Sequence, residues 1–95
     1  VATPEAKVKA QVIKILRSHG AYYVMPVTGG YGNSGAPDFL VCYHGKFIGI
    51  ECKAGKGKTT ALQERNLAEI VRAGGYALVI NETNMHELET LMERP

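Results

Sequence analysis

The chain of 95 residues and 10.3 kDa is 45% apolar and 21% charged. That size supports one modest core and one site, and excludes separate substrate and cofactor domains; the composition excludes a disordered chain. No apolar run approaches the ~20 residues needed to cross a bilayer. The net charge of +2 is unevenly divided: residues 1–60 hold eight Lys and Arg against three acids, whereas residues 61–95 hold three against six. A basic region of this kind suits an anionic partner, nucleic acid being the commonest, and equally suits a plain solvated surface. Its three acids are Glu5, Asp38 and Glu51, and Asp38 is the only aspartate. The two cysteines, Cys42 and Cys52, are too few for a disulfide framework or a four-cysteine zinc site. With no signal-like start, a reducing, cytoplasmic setting is the expectation.

Residues 1–95 read as one domain without repeats or linkers. Thr3-Pro4 resembles an N-cap followed by proline at the first helical position, opening a helix that ends near Ser18 or His19, before Gly20. Its apolar stripe is Val8, Val12, Ile15 and Leu16. Residues 21–27 read as a strand, and residues 28–35 as a glycine-rich loop. Two strands follow, 39–43 and 46–53, with only His44-Gly45 between them, the mark of a tight hairpin. Residues 54–60 form a second glycine-rich loop carrying Lys56 and Lys58. Thr60 and Gln63 have capping-box spacing and open a helix to about Ala73, with Leu62, Leu67, Ile70 and Val71 as its buried face. Residues 76–80 are an uninterrupted apolar strand of the type buried on both faces. Asn84 and Glu87 repeat the capping-box spacing before a last helix. The order αβββαβα, with a hairpin and a strand–helix–strand unit, predicts an α/β fold: a mixed four-stranded sheet flanked by helices.

If His44 and Gly45 are the turn residues, opposed positions in the hairpin have numbers summing to 89, and one step beyond Phe39 and Ile50 sets Asp38 opposite Glu51. Opposed side chains have Cβ atoms roughly 4.5–5.5 Å apart, so two like charges there repel unless a cation sits between them. Lys53 shares the face of Glu51, ~6.6 Å further along the strand. Glu5 falls nearly in line with Val12 and Leu16 on the first helix. It is either a helix-start glutamate favoured by the macrodipole or an acid reaching a metal site on the sheet.

Gly35-Ala36-Pro37-Asp38, with Glu51-Cys52-Lys53 beginning thirteen positions after Asp38, resembles the PD-(D/E)XK nuclease motif. The preceding glycine-rich segment, the short chain and Gln63 in the next helix are most similar to the VRR-NUC family, the virus-type replication-repair nucleases, over nearly the whole chain. The resemblance implies a restriction-endonuclease-like fold and phosphodiester cleavage with Mg²⁺, or Mn²⁺ as a substitute. It implies that Asp38, Glu51 and the backbone carbonyl of Cys52 ligate the metal, and that Glu5 does so directly or through water. It assigns Lys53 to the attacking water and the developing charge, and Gln63 to holding the lysine and water. Stand-alone relatives suggest a structure-selective DNA endonuclease acting on branched DNA such as Holliday junctions, as a homodimer. The alternatives are a module that grips branched DNA without cutting, and a nuclease preferring flaps, single strands or DNA of any form. Neither a membrane nor a nucleotide cofactor is expected.

Residues 30–35 match GxGxxG, but a strand follows where a dinucleotide site needs a helix. Tyr31, Asn33 and Ser34 there either contact nucleic acid or belong to an ordinary surface loop. Gly57-Lys58-Thr59 resembles the end of a P-loop, but Cys52 stands where its first glycine belongs. Lys56 and Lys58 read as phosphate contacts beside the site, with plain solvated charges as the alternative. The cysteines read as packed thiols without a disulfide, and His19, His44 and His86 lack catalytic partners.

Overall fold

The computed structural model describes residues 2–27 and 35–94. The elements in order are α1 (Pro4–Ser18), β1 (Tyr22–Val24), β2 (Phe39–Tyr43), β3 (Lys46–Cys52), α2 (Ala61–Arg72), β4 (Tyr76–Ile80) and α3 (Met85–Glu93). The sheet order is β1-β2-β3-β4, antiparallel except for the parallel β3–β4 pair across which α2 connects. The expected mixed four-stranded α/β architecture is therefore present.

The local signals act as their chemistry requires. Thr3 accepts the Ala6 N–H at 3.1 Å to start α1, and Val8, Val12 and Leu16 form its buried stripe. His44 (φ 47°) and Gly45 (φ 79°) both take positive φ, the requirement of a two-residue turn whose twist matches its strands. The hairpin register is the one the sequence predicts, from Tyr43 opposite Lys46 to Phe39 opposite Ile50. One more hydrogen-bonded step would pair Pro37 with Cys52, and proline has no N–H to donate. The ladder ends there, and the Asp38 carboxylate accepts the Cys52 N–H at 2.7 Å.

Phe39, Val41, Ile48, Ile50 and Cys52 line one sheet face and form the core with α1 and α3. The other face carries α2, which packs against β3 and β4. Three glycines allow this approach. A Cβ at Gly49 would lie 2.5 Å from Ile70 Cδ1, one at Gly35 2.6 Å from Leu62 Cγ, and one at Gly75 2.9 Å from Ile70 Cγ2.

Five expectations need correction. Cys42, read as a packed thiol, is exposed, and only Cys52 is buried. The first strand is three residues, shorter than 21–27. Leu62 and Val71 are exposed, Val71 at 56%, and Asn66 and Leu67 are the buried positions of α2, because the helix covers only part of the sheet. β4 is a sheet edge, so Tyr76 and Val79 are exposed instead of buried on both faces. Asn84 does not cap α3: its Oδ1 accepts the Asn81 N–H and its Nδ2 donates to the Val79 carbonyl and Glu87.

Because an added methyl at Gly49 has Ile70 and Pro37 against it, Gly49→Ala should cost about 1–3 kcal/mol, read by urea unfolding. Gly45→Ala is the contrasting case: its Cβ meets no atom within 4 Å, and any loss comes from the positive φ alone.

Candidate metal centre at the end of the sheet

The site lies where β2 begins and β3 ends. The broken ladder positions Asp38: one carboxylate oxygen, Oδ2, is committed to the Cys52 N–H. Its other oxygen, Oδ1, lies 3.5 Å from the Lys9 ammonium, which also stands 3.7 Å from Glu5 Oε2. Glu51 is 3% exposed, an uncommon state for a carboxylate. Its Oε2 accepts a hydrogen bond from Gln63 Nε2 at 3.1 Å and lies 3.6 Å from Lys53 Nζ. Its Oε1 is buried without a hydrogen-bond partner among the described residues.

The capping box sets the orientation of Gln63. Its Oε1 accepts the Thr60 N–H at 2.9 Å, so its amide nitrogen must face Glu51. One side chain thereby starts α2 and ties it to the acid on β3.

Burial, reinforced by the Asp38 carboxylate, pushes the Glu51 carboxyl up to about 7 against the opposing pull of Lys53. Burial, then Asp38 and Glu51, raises the Cys52 thiol to about 12, and its side chain packs in the core. At Lys9 burial works against the charge, but Asp38 and then Glu5 outweigh it and hold the pKa above its ordinary value.

The predicted site residues separate into three sets. Asp38, Glu51, Lys53 and Gln63 are brought together, with the Cys52 backbone between them. Glu5 is linked to Asp38 through Lys9, and among the described residues no three His, Cys, Asp or Glu side chains assemble into a complete metal cage. Lys56 and Lys58 are exposed on the loop after β3, a loop held by the Gly55 N–H on Glu82 at 2.7 Å. Tyr31, Asn33 and Ser34 lie outside the described residues. Lys9 was not singled out in the sequence, although its spacing four residues after Glu5 marks a helical ion pair.

The donor set fits a hard divalent cation. A buried carboxylate oxygen without a partner, a second carboxylate close enough to raise its pKa, and adjacent backbone carbonyl oxygen are the chemistry such an ion takes. Grooves of about 510 Å³ beside Phe47 and Ile70, and about 680 Å³ between Tyr76 and Leu91, lie away from these acids.

A search of solved structures finds a chain described as a VRR_NUC domain, with a TM-score of 0.77 and 24% sequence identity, covering 98% of this chain and 98% of that one. The protein thus has the fold of a VRR_NUC domain. No family model and no curated protein matches the chain. No described helix is long and apolar enough to cross a membrane.

A carboxyl whose pKa is raised on folding adds stability below its unfolded pKa, and the contribution disappears as pH rises through the folded value. In EDTA the wild-type chain should therefore lose stability relative to Glu51→Gln between about pH 4.5 and pH 7, measured by urea unfolding. Mn²⁺ binding should strengthen over the same interval, because the ion competes with a proton.

Proposed function

We propose that the protein is a metal-dependent nuclease of VRR-NUC type that hydrolyses phosphodiester bonds in DNA. The observation that carries this reading is the convergence of Asp38, Glu51, Lys53 and Gln63 at one end of a sheet with the VRR_NUC fold. Asp38, Glu51 and the Cys52 backbone carbonyl would hold Mg²⁺, or Mn²⁺ in its place, with Glu5 acting directly or through water. When bound, the ion supplies charge to the phosphoryl oxygens and lowers the pKa of a water nucleophile toward neutrality.

The chain's own groups account for the remainder. The Lys53 side chain is 15% exposed and its ammonium is paired with Glu51, which limits its motion and places positive charge beside the reacting phosphate. There it orients the attacking water and offsets charge that develops on the phosphoryl oxygens. Gln63, held by Thr60, keeps the Glu51 carboxylate turned toward the site. Lys56 and Lys58 contact the DNA backbone, which contributes affinity without sequence selection.

Within this reading the substrate is branched DNA, such as a Holliday junction, cut by a homodimer. A two-fold pair of sites matches the paired strands of a four-way junction. Supporting the dimer, the half of the outer sheet face not covered by α2 exposes Tyr22 (70%), Val24 and Phe47. Tyr22 and Phe47 both lie opposite Cys42, on either side of it, so they share that face.

The test offers single-stranded, duplex, flap and four-way-junction DNA with Mg²⁺, Mn²⁺ or EDTA. Junction cleavage should require the metal and fall on the order of 10²–10³-fold in Lys53→Ala, with junction binding retained in a gel-shift assay. Binding without any metal-dependent product would instead identify a non-cleaving module. Sedimentation should give a dimer that Tyr22→Glu converts to monomer; a strict monomer at assay concentration would exclude dimeric resolution.

A further inference from the structure

Lys9 lies across the oxygens that a divalent ion would need. Asp38 has committed Oδ2 to the Cys52 N–H, so Oδ1 is its other coordinating atom, and Oδ1 is the oxygen Lys9 faces at 3.5 Å. The same ammonium faces Glu5 Oε2 at 3.7 Å. At Glu51 it is Gln63 and Lys53, not a lysine of α1, that hold Oε2. Of the two lysines at the site, one serves Glu51 and the other spans Asp38 and Glu5. Lys9 also has a route of retreat. About a third of its side chain is exposed, and it rides on a flexible four-carbon stem.

We infer that Lys9 is a built-in counter-cation of this site: it holds Asp38 and Glu5 in place of a metal and must withdraw its ammonium for the ion to bind. The inference rests on the metal-binding role proposed for Asp38 and Glu51. Its physical basis is charge balance. With Glu51 ionised, Glu5, Asp38 and Glu51 contribute three negative charges, and Lys9 and Lys53 contribute two positive ones. A divalent ion entering beside Lys9 meets like charge at close range, a repulsion that a neutral side chain of similar length removes. Lys9 therefore sets an affinity threshold for metal, and withdrawal leaves its ammonium beside the site to meet a DNA phosphate.

The experiment titrates Mn²⁺ by calorimetry and by the loss of free-ion electron paramagnetic resonance, without DNA, into wild type, Lys9→Met, Lys9→Gln and Lys14→Met. Lys14→Met removes one exposed charge from the same helix, away from the acids, and controls for net charge. Both Lys9 variants should bind Mn²⁺ about tenfold more tightly than wild type, and Lys14→Met should not. In EDTA the Lys9 variants should melt lower than wild type, and saturating Mn²⁺ should raise their melting temperature by a larger increment. Unchanged or weaker Mn²⁺ binding by folded Lys9 variants would overturn the inference. If wild type binds Mn²⁺ and Asp38→Asn abolishes that binding, such a result rejects only the role of Lys9. If neither wild type nor the Lys9 variants bind Mn²⁺, both the inference and the metal reading fail. Binding by the Lys9 variants alone would support it at its strongest.

Discussion

The site depends on keeping a carboxylate out of water at the end of β3. Glu51 is almost entirely buried, and burial of a charge must be answered by partners or by a proton. Gln63 and Lys53 answer for one oxygen, and the other has no hydrogen-bond partner among the described residues. The second carboxylate, on Asp38, makes the charge harder still to hold, which is why a proton is retained up to about pH 7. A cation relieves both problems together. The polar groups of the site are arranged around that need.

The fold supplies this arrangement through economical use of single residues. The β2–β3 ladder stops short of Pro37, which has no N–H to donate, and the Cys52 N–H anchors the Asp38 carboxylate instead of continuing the ladder. Gln63 closes a capping box with Thr60 and, by the same constraint on its amide, holds Glu51. Gly35, Gly49 and Gly75 remove the side chains that would keep α2 off β3 and the segment before β2. The close seat of α2 is what brings Gln63 within 3.1 Å of Glu51. Packing and chemistry are coupled through that helix.

The two sheet faces serve different purposes. One is a dry core under α1 and α3. The other is only partly covered by α2, which leaves apolar side chains of β1 and β3 at the surface. Such exposure marks interaction surfaces more often than idle ones.

The sequence alone determined the element order, the hairpin register, the Thr3 and Thr60 caps, and the nearness of Glu51 to both Asp38 and Lys53. Each follows from short-range rules: alternation along a strand, a two-residue turn, or a side chain bonding a backbone group three positions away. It did not determine which residues of α2 and β4 are buried, because periodicity describes a helix's apolar side without saying how much of the sheet that helix covers. Nor did Asn84 follow its capping spacing, since Asn81 and Val79 compete for the same amide. The placement of Lys9 between Glu5 and Asp38 was the largest tertiary decision. The i,i+4 spacing announces the pair with Glu5, but Asp38 joins only because α1 packs over the end of the sheet. Local chemistry is written along the chain, whereas the meeting of charges from separate elements depends on how those elements pack in three dimensions.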